Sequence, residues 1–180
     1  MPDHFFISYS SADALPFSLK LADNLLAGPP IFPIWFDKRH LRPADDWDEQ
    51  IVEAIRACKA LIFVMTPDSV TDRSICKQEW TRALRYKKPI IPVLAAPDAE
   101  MPFRLEPRQR INFMSAYDSA LAQLRQHFTW MDSPPGQLQA LKHRLTDAQR
   151  DLPRARSAAP HPRRHRRTTA PDRPTTSHRR

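Results

Sequence analysis

Ala60-Leu61-Ile62-Phe63-Val64-Met65 is an unbroken run of six apolar residues, and Thr66-Pro67-Asp68-Ser69 stops it at once. A run this short is strand length. A strand with no polar side must be covered on both faces, as the strands of a parallel sheet are. His4–Tyr9, Phe32–Phe36 and Pro89–Leu94 read the same way, with a weaker run at Arg110–Phe113. Helical patterns lie between them. The first carries Leu15, Leu19, Ala22, Leu25 and Leu26, with Asp13 as its expected cap and Gly28-Pro29-Pro30 as its stop. The second carries Trp47, Ile51, Ala54, Ile55 and Cys58 on one face. The third starts at Ser74 and carries Cys76, Trp80, Ala83 and Leu84, and a last one runs from Tyr117 to about Trp130. Strands alternating with helices predict an α/β domain with helices on both faces of a sheet. Five such strands predict a flavodoxin-like parallel sheet of order 2-1-3-4-5.

The chain of 180 residues holds only two glycines, Gly28 and Gly136, so neither a GxxxxGK loop nor a GxGxxG fingerprint can be written. Cys58 and Cys76 are the only cysteines, which gives neither a zinc set nor a disulfide framework, and no metal is expected. No apolar run approaches the roughly 18 residues of a membrane span, and the Met-Pro-Asp-His start is unlike a signal peptide. The expectation is a soluble, cytoplasmic protein with no membrane partner.

The net charge of +8 belongs to one end. Residues 153–180 hold nine arginines and a single acid, Asp172, while residues 1–152 hold 19 basic and 19 acidic side chains. That tail has five prolines and no Leu, Ile, Val, Phe, Met, Trp or Tyr, so it reads as disordered. Loose electrostatic binding, a solvated tail without function and a shifted reading frame all fit its composition. No aromatic or amphipathic pattern accompanies the arginines, so nucleic acid is not expected as a partner. Before the tail, Leu138, Leu141, Leu145, Ala148 and Leu152 follow a two-heptad seam on a predicted helix, Gln137–Leu152, which Pro134, Pro135 and Gly136 separate from what precedes it. The seam suits packing on the domain, pairing with a partner chain, or a junction to further domains. The expected organisation is therefore a domain at 1–133, a linker helix at 134–152 and a disordered tail at 153–180.

Open α/β sheets bind ligands beyond the carboxyl ends of their strands, where the strand order reverses. Here that point lies between the first and third strands, at Tyr9-Ser10-Ser11 and Thr66-Pro67-Asp68-Ser69. A phosphoacceptor receiver domain would need an Asp at the end of the third strand, where Met65-Thr66 stand. The third helix begins nearby and carries Glu79 on the shoulder of its apolar stripe, about 60° from Cys76 on a helical wheel. A carboxylate there is partly desolvated, which marks a candidate site. The same position also suits a boundary glutamate paired with Arg73 or Arg82 across a turn.

Four stretches, in order and with typical spacing, resemble TIR (Toll/interleukin receptor) domains over about residues 3–131. Phe5-Phe6-Ile7-Ser8-Tyr9-Ser10 with Asp13 resembles the first motif. Phe36-Asp37 and Leu41-Arg42-Pro43-Ala44-Asp45-Asp46-Trp47 resemble the second-strand end and the BB loop. Leu61–Met65, Thr66-Pro67, Ser69, Ser74, Cys76 and Glu79 resemble the third strand and third helix, and Pro89-Ile90-Ile91-Pro92-Val93 the fourth strand. The similarity is closest to bacterial TIR domains. It implies either a hydrolase that cleaves NAD at the nicotinamide–ribose bond, acting in signalling or defence, or a non-catalytic module assembling through TIR–TIR contacts. In the enzymatic case it implies Glu79 as the catalytic residue, with Ser10, Ser11 and Arg42 binding NAD as substrate and no separate cofactor. Two positions differ from enzymatic members. Ile75 stands where they often carry Trp, and Ala44 where the BB loop usually has glycine. One carboxylate suffices chemically. Nicotinamide leaves a pyridinium as a neutral amine, and only the positive charge growing on the ribosyl carbon needs stabilising.

Overall fold

The computed structural model describes residues 4–36 and 47–157, with side chains described for 4–36 and 48–151. The chain forms two compact units, Met1–Leu141 and Lys142–Arg180. In the first, β1 (Phe5–Ser8), β2 (Ile34–Trp35), β3 (Ala60–Met65), β4 (Ile90–Leu94) and β5 (Ile111–Asn112) form a sheet of order β2-β1-β3-β4-β5. Every pairing is parallel. Helices α1 (Leu15–Leu26), α2 (Trp47–Ala57), α3 (Ile75–Arg85) and α4 (Tyr117–Asp132) connect or follow the strands. The fold is the flavodoxin-like one that the strand and helix pattern predicts.

Strand alternation sorts the core into two layers. Phe5, Ile7, Ala60, Ile62, Val64, Ile91 and Val93 pack on one side with Leu21 and Leu25 of α1 and Leu124 and Phe128 of α4. Phe6, Leu61, Phe63, Met65, Ile90 and Leu94 pack on the other with Ile55 of α2 and Cys76, Trp80 and Ala83 of α3. Phe128 stacks on Phe5 with ring centroids 3.7 Å apart, tying α4 to the sheet centre. Pro92 sits inside β4, and β5 pairs only from Val93 onward, so the missing donor lies beyond the β5 ladder.

Three local expectations need correction. Asp13 does not cap α1. The cap position is Ala14, with no side-chain bond. Asp13 instead accepts from Thr66 Oγ1 at 2.7 Å and from the Asp68 amide at 2.9 Å, joining the loops after β1 and β3. The buried stripe of α1 is also rotated. It is Ser18, Leu21, Ala22 and Leu25, while Leu26 is exposed. The small residues Ala14, Ser18 and Ala22 let the helix lie close against the sheet, and that side wins over the bulkier Leu15–Leu19 edge.

The last correction concerns α5, which runs Pro134–Ser157 rather than from Gln137 to Leu152. Prolines in a first turn lack only amides that would have no helical partner, so Pro134 and Pro135 open the helix instead of holding it apart. Gly136 follows because a Cβ there would stand 2.2 Å from the Trp130 carbonyl oxygen. At the other end, helical backbone continues through Pro153 to Ser157, into the stretch expected to be disordered. Residues 158–180 lie outside the described residues. Leu138, Leu141 and Leu145 are all more than half exposed. Among the described residues, no helix is long and apolar enough to cross a membrane.

Candidate functional site

The site begins with an exception in the sheet. β1, β3 and β4 are apolar throughout save for Ser8, which ends β1. Alternation puts Ser8 on the Phe6 side, the side covered by α2 and α3, and it is fully buried. A hydroxyl there needs a partner. It finds one on α3: Ser8 Oγ donates to Glu79 Oε2 at 2.6 Å. The helix is placed for this by its own cap, since Ser74 Oγ accepts from the Cys76 amide at 3.2 Å. Cys76, Trp80 and Ala83 then bury one face, and Glu79 comes to the edge of that face, half-buried.

Glu79 also lines a small open cleft of about 100 Å³, bounded by Asp48, Ile51 and Ile55 of α2 and by Ile75, Gln78, Glu79 and Arg82 of α3. It is smaller than the roughly 300–1,000 Å³ typical of small-ligand sites, so a ligand there would lie partly in the open. Its walls are mixed. Ile51, Ile55 and Ile75 supply apolar surface, and Ile75, one turn before Glu79, is half exposed to solvent. Asp48, Glu79 and Arg82 put two acids and one cation at the same opening. A carboxylate fixed at such an opening can stabilise a cation that forms in front of it.

The other expected site residues are distributed differently. Ser10 is buried, and its hydroxyl is engaged twice. It accepts from the Ala12 amide at 3.1 Å and donates to Asp68 Oδ2 at 2.6 Å. That side chain shapes the turn after β1, and the Ser10 carbonyl accepts from the Ala14 amide at 3.0 Å. Ser11 is exposed on the same turn. Arg42 and Ala44 lie outside the described residues. Ser8 and Asp48 belong to the site and were not singled out from the sequence, and Arg82 was read only as a pairing partner for Glu79. The signal for Ser8 was there, as one hydroxyl in a strand with no polar face.

Both thiols are poor nucleophiles. Burial pushes the Cys76 thiol up to about 12, with the Glu79 charge adding to the effect, and pushes the Cys58 thiol up to about 11. Among the described residues, no cluster of three or more His, Cys, Asp or Glu side chains is placed to hold a metal ion.

A family model described as "TIR domain" matches residues 5–125, which span all five strands and most of α4. The chain belongs to the TIR-domain family. Solved structures agree on the fold. The TIR domain of the Toll-related receptor TRR-2 from Hydra magnipapillata is 23% identical with a TM-score of 0.59, over 72% of this chain and 98% of that one. The TIR domains of the activated Roq1 resistosome, which recognises the pathogen effector XopQ, are 12% identical with a TM-score of 0.56, over 70% and 99%. A TIR-STING receptor from C. gigas, solved with 2′,3′-cGAMP, is 23% identical with a TM-score of 0.55. That match covers 67% of this chain and only 38% of the receptor, so it concerns one part of that protein. No curated protein matches the chain. In this TIR domain, then, the Ser8–Glu79 contact joins the end of β1 to α3 beside the switch point of the sheet.

Proposed function

We propose that this TIR domain cleaves NAD at the bond between nicotinamide and ribose, with Glu79 as the catalytic residue. The observation that carries this reading is the Glu79 carboxylate, half-buried, tied to the sheet at 2.6 Å and lining a small cleft of mixed polar and apolar walls. In the reaction the C–N bond breaks and its electron pair leaves with neutral nicotinamide. Positive charge grows on the ribosyl carbon, and the Glu79 carboxylate stabilises it. Water then adds to that carbon and gives up a proton, so the products are ADP-ribose, nicotinamide and one proton. NAD is substrate here, and no further cofactor is needed. Ser11 and the backbone after β1 contact the nucleotide in this account, and Arg42 supplies a guanidinium for its pyrophosphate.

The reading extends to regulation. TIR–TIR contacts bring the BB loop of one copy to the cleft of another, and the enzyme acts in cytoplasmic signalling or defence of a bacterial type. A second reading, a non-catalytic assembly module, is favoured by a different observation. Leu138 and Leu141 of α5 are exposed on the first unit, and Ile75 replaces the tryptophan frequent in enzymatic members. The full chain incubated with NAD over a range of protein concentrations separates the two. Nicotinamide release rising faster than linearly with concentration, and lowered by Arg42→Ala in a folded protein, supports the enzyme. Arg42-dependent assembly without nicotinamide release supports the module.

A further inference from the structure

Ser8 lies at a fully buried position of a central strand, beside Phe63 in the register of β1 and β3. An apolar residue would fill that place at no cost in hydrogen bonding, so the hydroxyl has to be accounted for by what it touches. It donates to Glu79 Oε2 at 2.6 Å. An ionised carboxylate only accepts, so the proton in the Ser8–Glu79 bond comes from Ser8.

We propose that Ser8 is a positioning residue for the Glu79 carboxylate. The proposal rests on the NAD-cleaving reading above and names the part of the protein that makes its carboxylate effective. A glutamate at the rim of an open cleft has three side-chain torsions to wander through. A short charge-assisted bond to a group fixed in a strand removes most of that freedom. Ser8 itself stays behind Glu79, in the sheet, and does not reach the reacting atoms. Its loss therefore lowers the rate of the bound complex without changing how NAD is held.

The test compares the full wild-type chain with Ser8→Ala and Ser8→Cys, with folding checked by circular dichroism and nicotinamide release measured against NAD concentration and pH. Ser8→Ala is expected to lower kcat by about tenfold or more, the scale on which a loosened catalytic group acts, with KM unchanged. The acidic limb of its kcat–pH profile moves to higher pH, because the carboxylate has lost a donor that favours its charged form. Ser8→Cys, a weaker donor of similar size, falls between, and it decides the matter alone should Ser8→Ala not fold. Wild-type kcat in the variants, or a raised KM with kcat intact, overturns the positioning role while the NAD-cleaving reading stands. No turnover by the wild-type chain overturns both.

Discussion

The Ser8–Glu79 contact can be measured without any assumption about activity, through a double-mutant cycle. Ser8→Ala removes the donor and leaves a half-buried carboxylate lacking its 2.6 Å partner. Hydrogen bonds to charged groups are worth about 1.5–3 kcal/mol net, and that is the expected cost. Glu79→Ala strands a fully buried hydroxyl, and an unsatisfied buried donor costs about 1–3 kcal/mol. The double variant leaves neither group behind. Its cost should fall short of the sum of the singles by roughly 1–2 kcal/mol, inside the range measured for directly contacting residues. Urea denaturation of the full chain followed by circular dichroism gives all four stabilities on one scale. Additivity within about 0.5 kcal/mol would mean that the two side chains do not interact in solution, and the site as described would lose its anchor.

Two further outcomes follow from burial. Cys58 and Cys76, with thiols pushed to about 11 and about 12, should resist an added thiol reagent at pH 8 while the protein is folded and react once urea unfolds it. Labelling of either cysteine in the native state would show that the α2–α3 layer is open. His127, half-buried beside Trp130, has its pKa lowered by desolvation from the ordinary 6.5. The unfolded chain then binds the extra proton first, so stability should fall as pH drops from 6.5 toward the lowered value and be unaffected above it. His127→Gln should flatten that slope, and an unchanged slope would assign it to other groups.

Much of the fold was legible because its signals are local. β3 was read to the residue, since six apolar side chains bounded by Thr66-Pro67 leave little freedom. The wheel also put Glu79 at the edge of the α3 stripe, where it stands. What could not be read was tertiary. Nothing in the spacing of Asp13 says that it reaches across to Thr66 and Asp68 instead of capping α1. The choice between two candidate faces of α1 was made by contact with the sheet. The same holds for the site. Ser8 and Glu79 are 71 positions apart in the chain, and only the parallel order β1-β3 with α3 over it brings them together. Pro134-Pro135 was misread for a local reason, because proline marks a helix start as readily as a break.

The central claim is that a single carboxylate in this TIR domain carries the cleavage of NAD. Its most direct test is nicotinamide release from NAD by the concentrated full chain, set beside Glu79→Gln, which keeps the size and a hydrogen-bonding partner for Ser8 but removes the charge. The account predicts steady nicotinamide release by the wild type and loss of most of that rate in a Glu79→Gln protein that remains folded. Equal rates in the two proteins would contradict it.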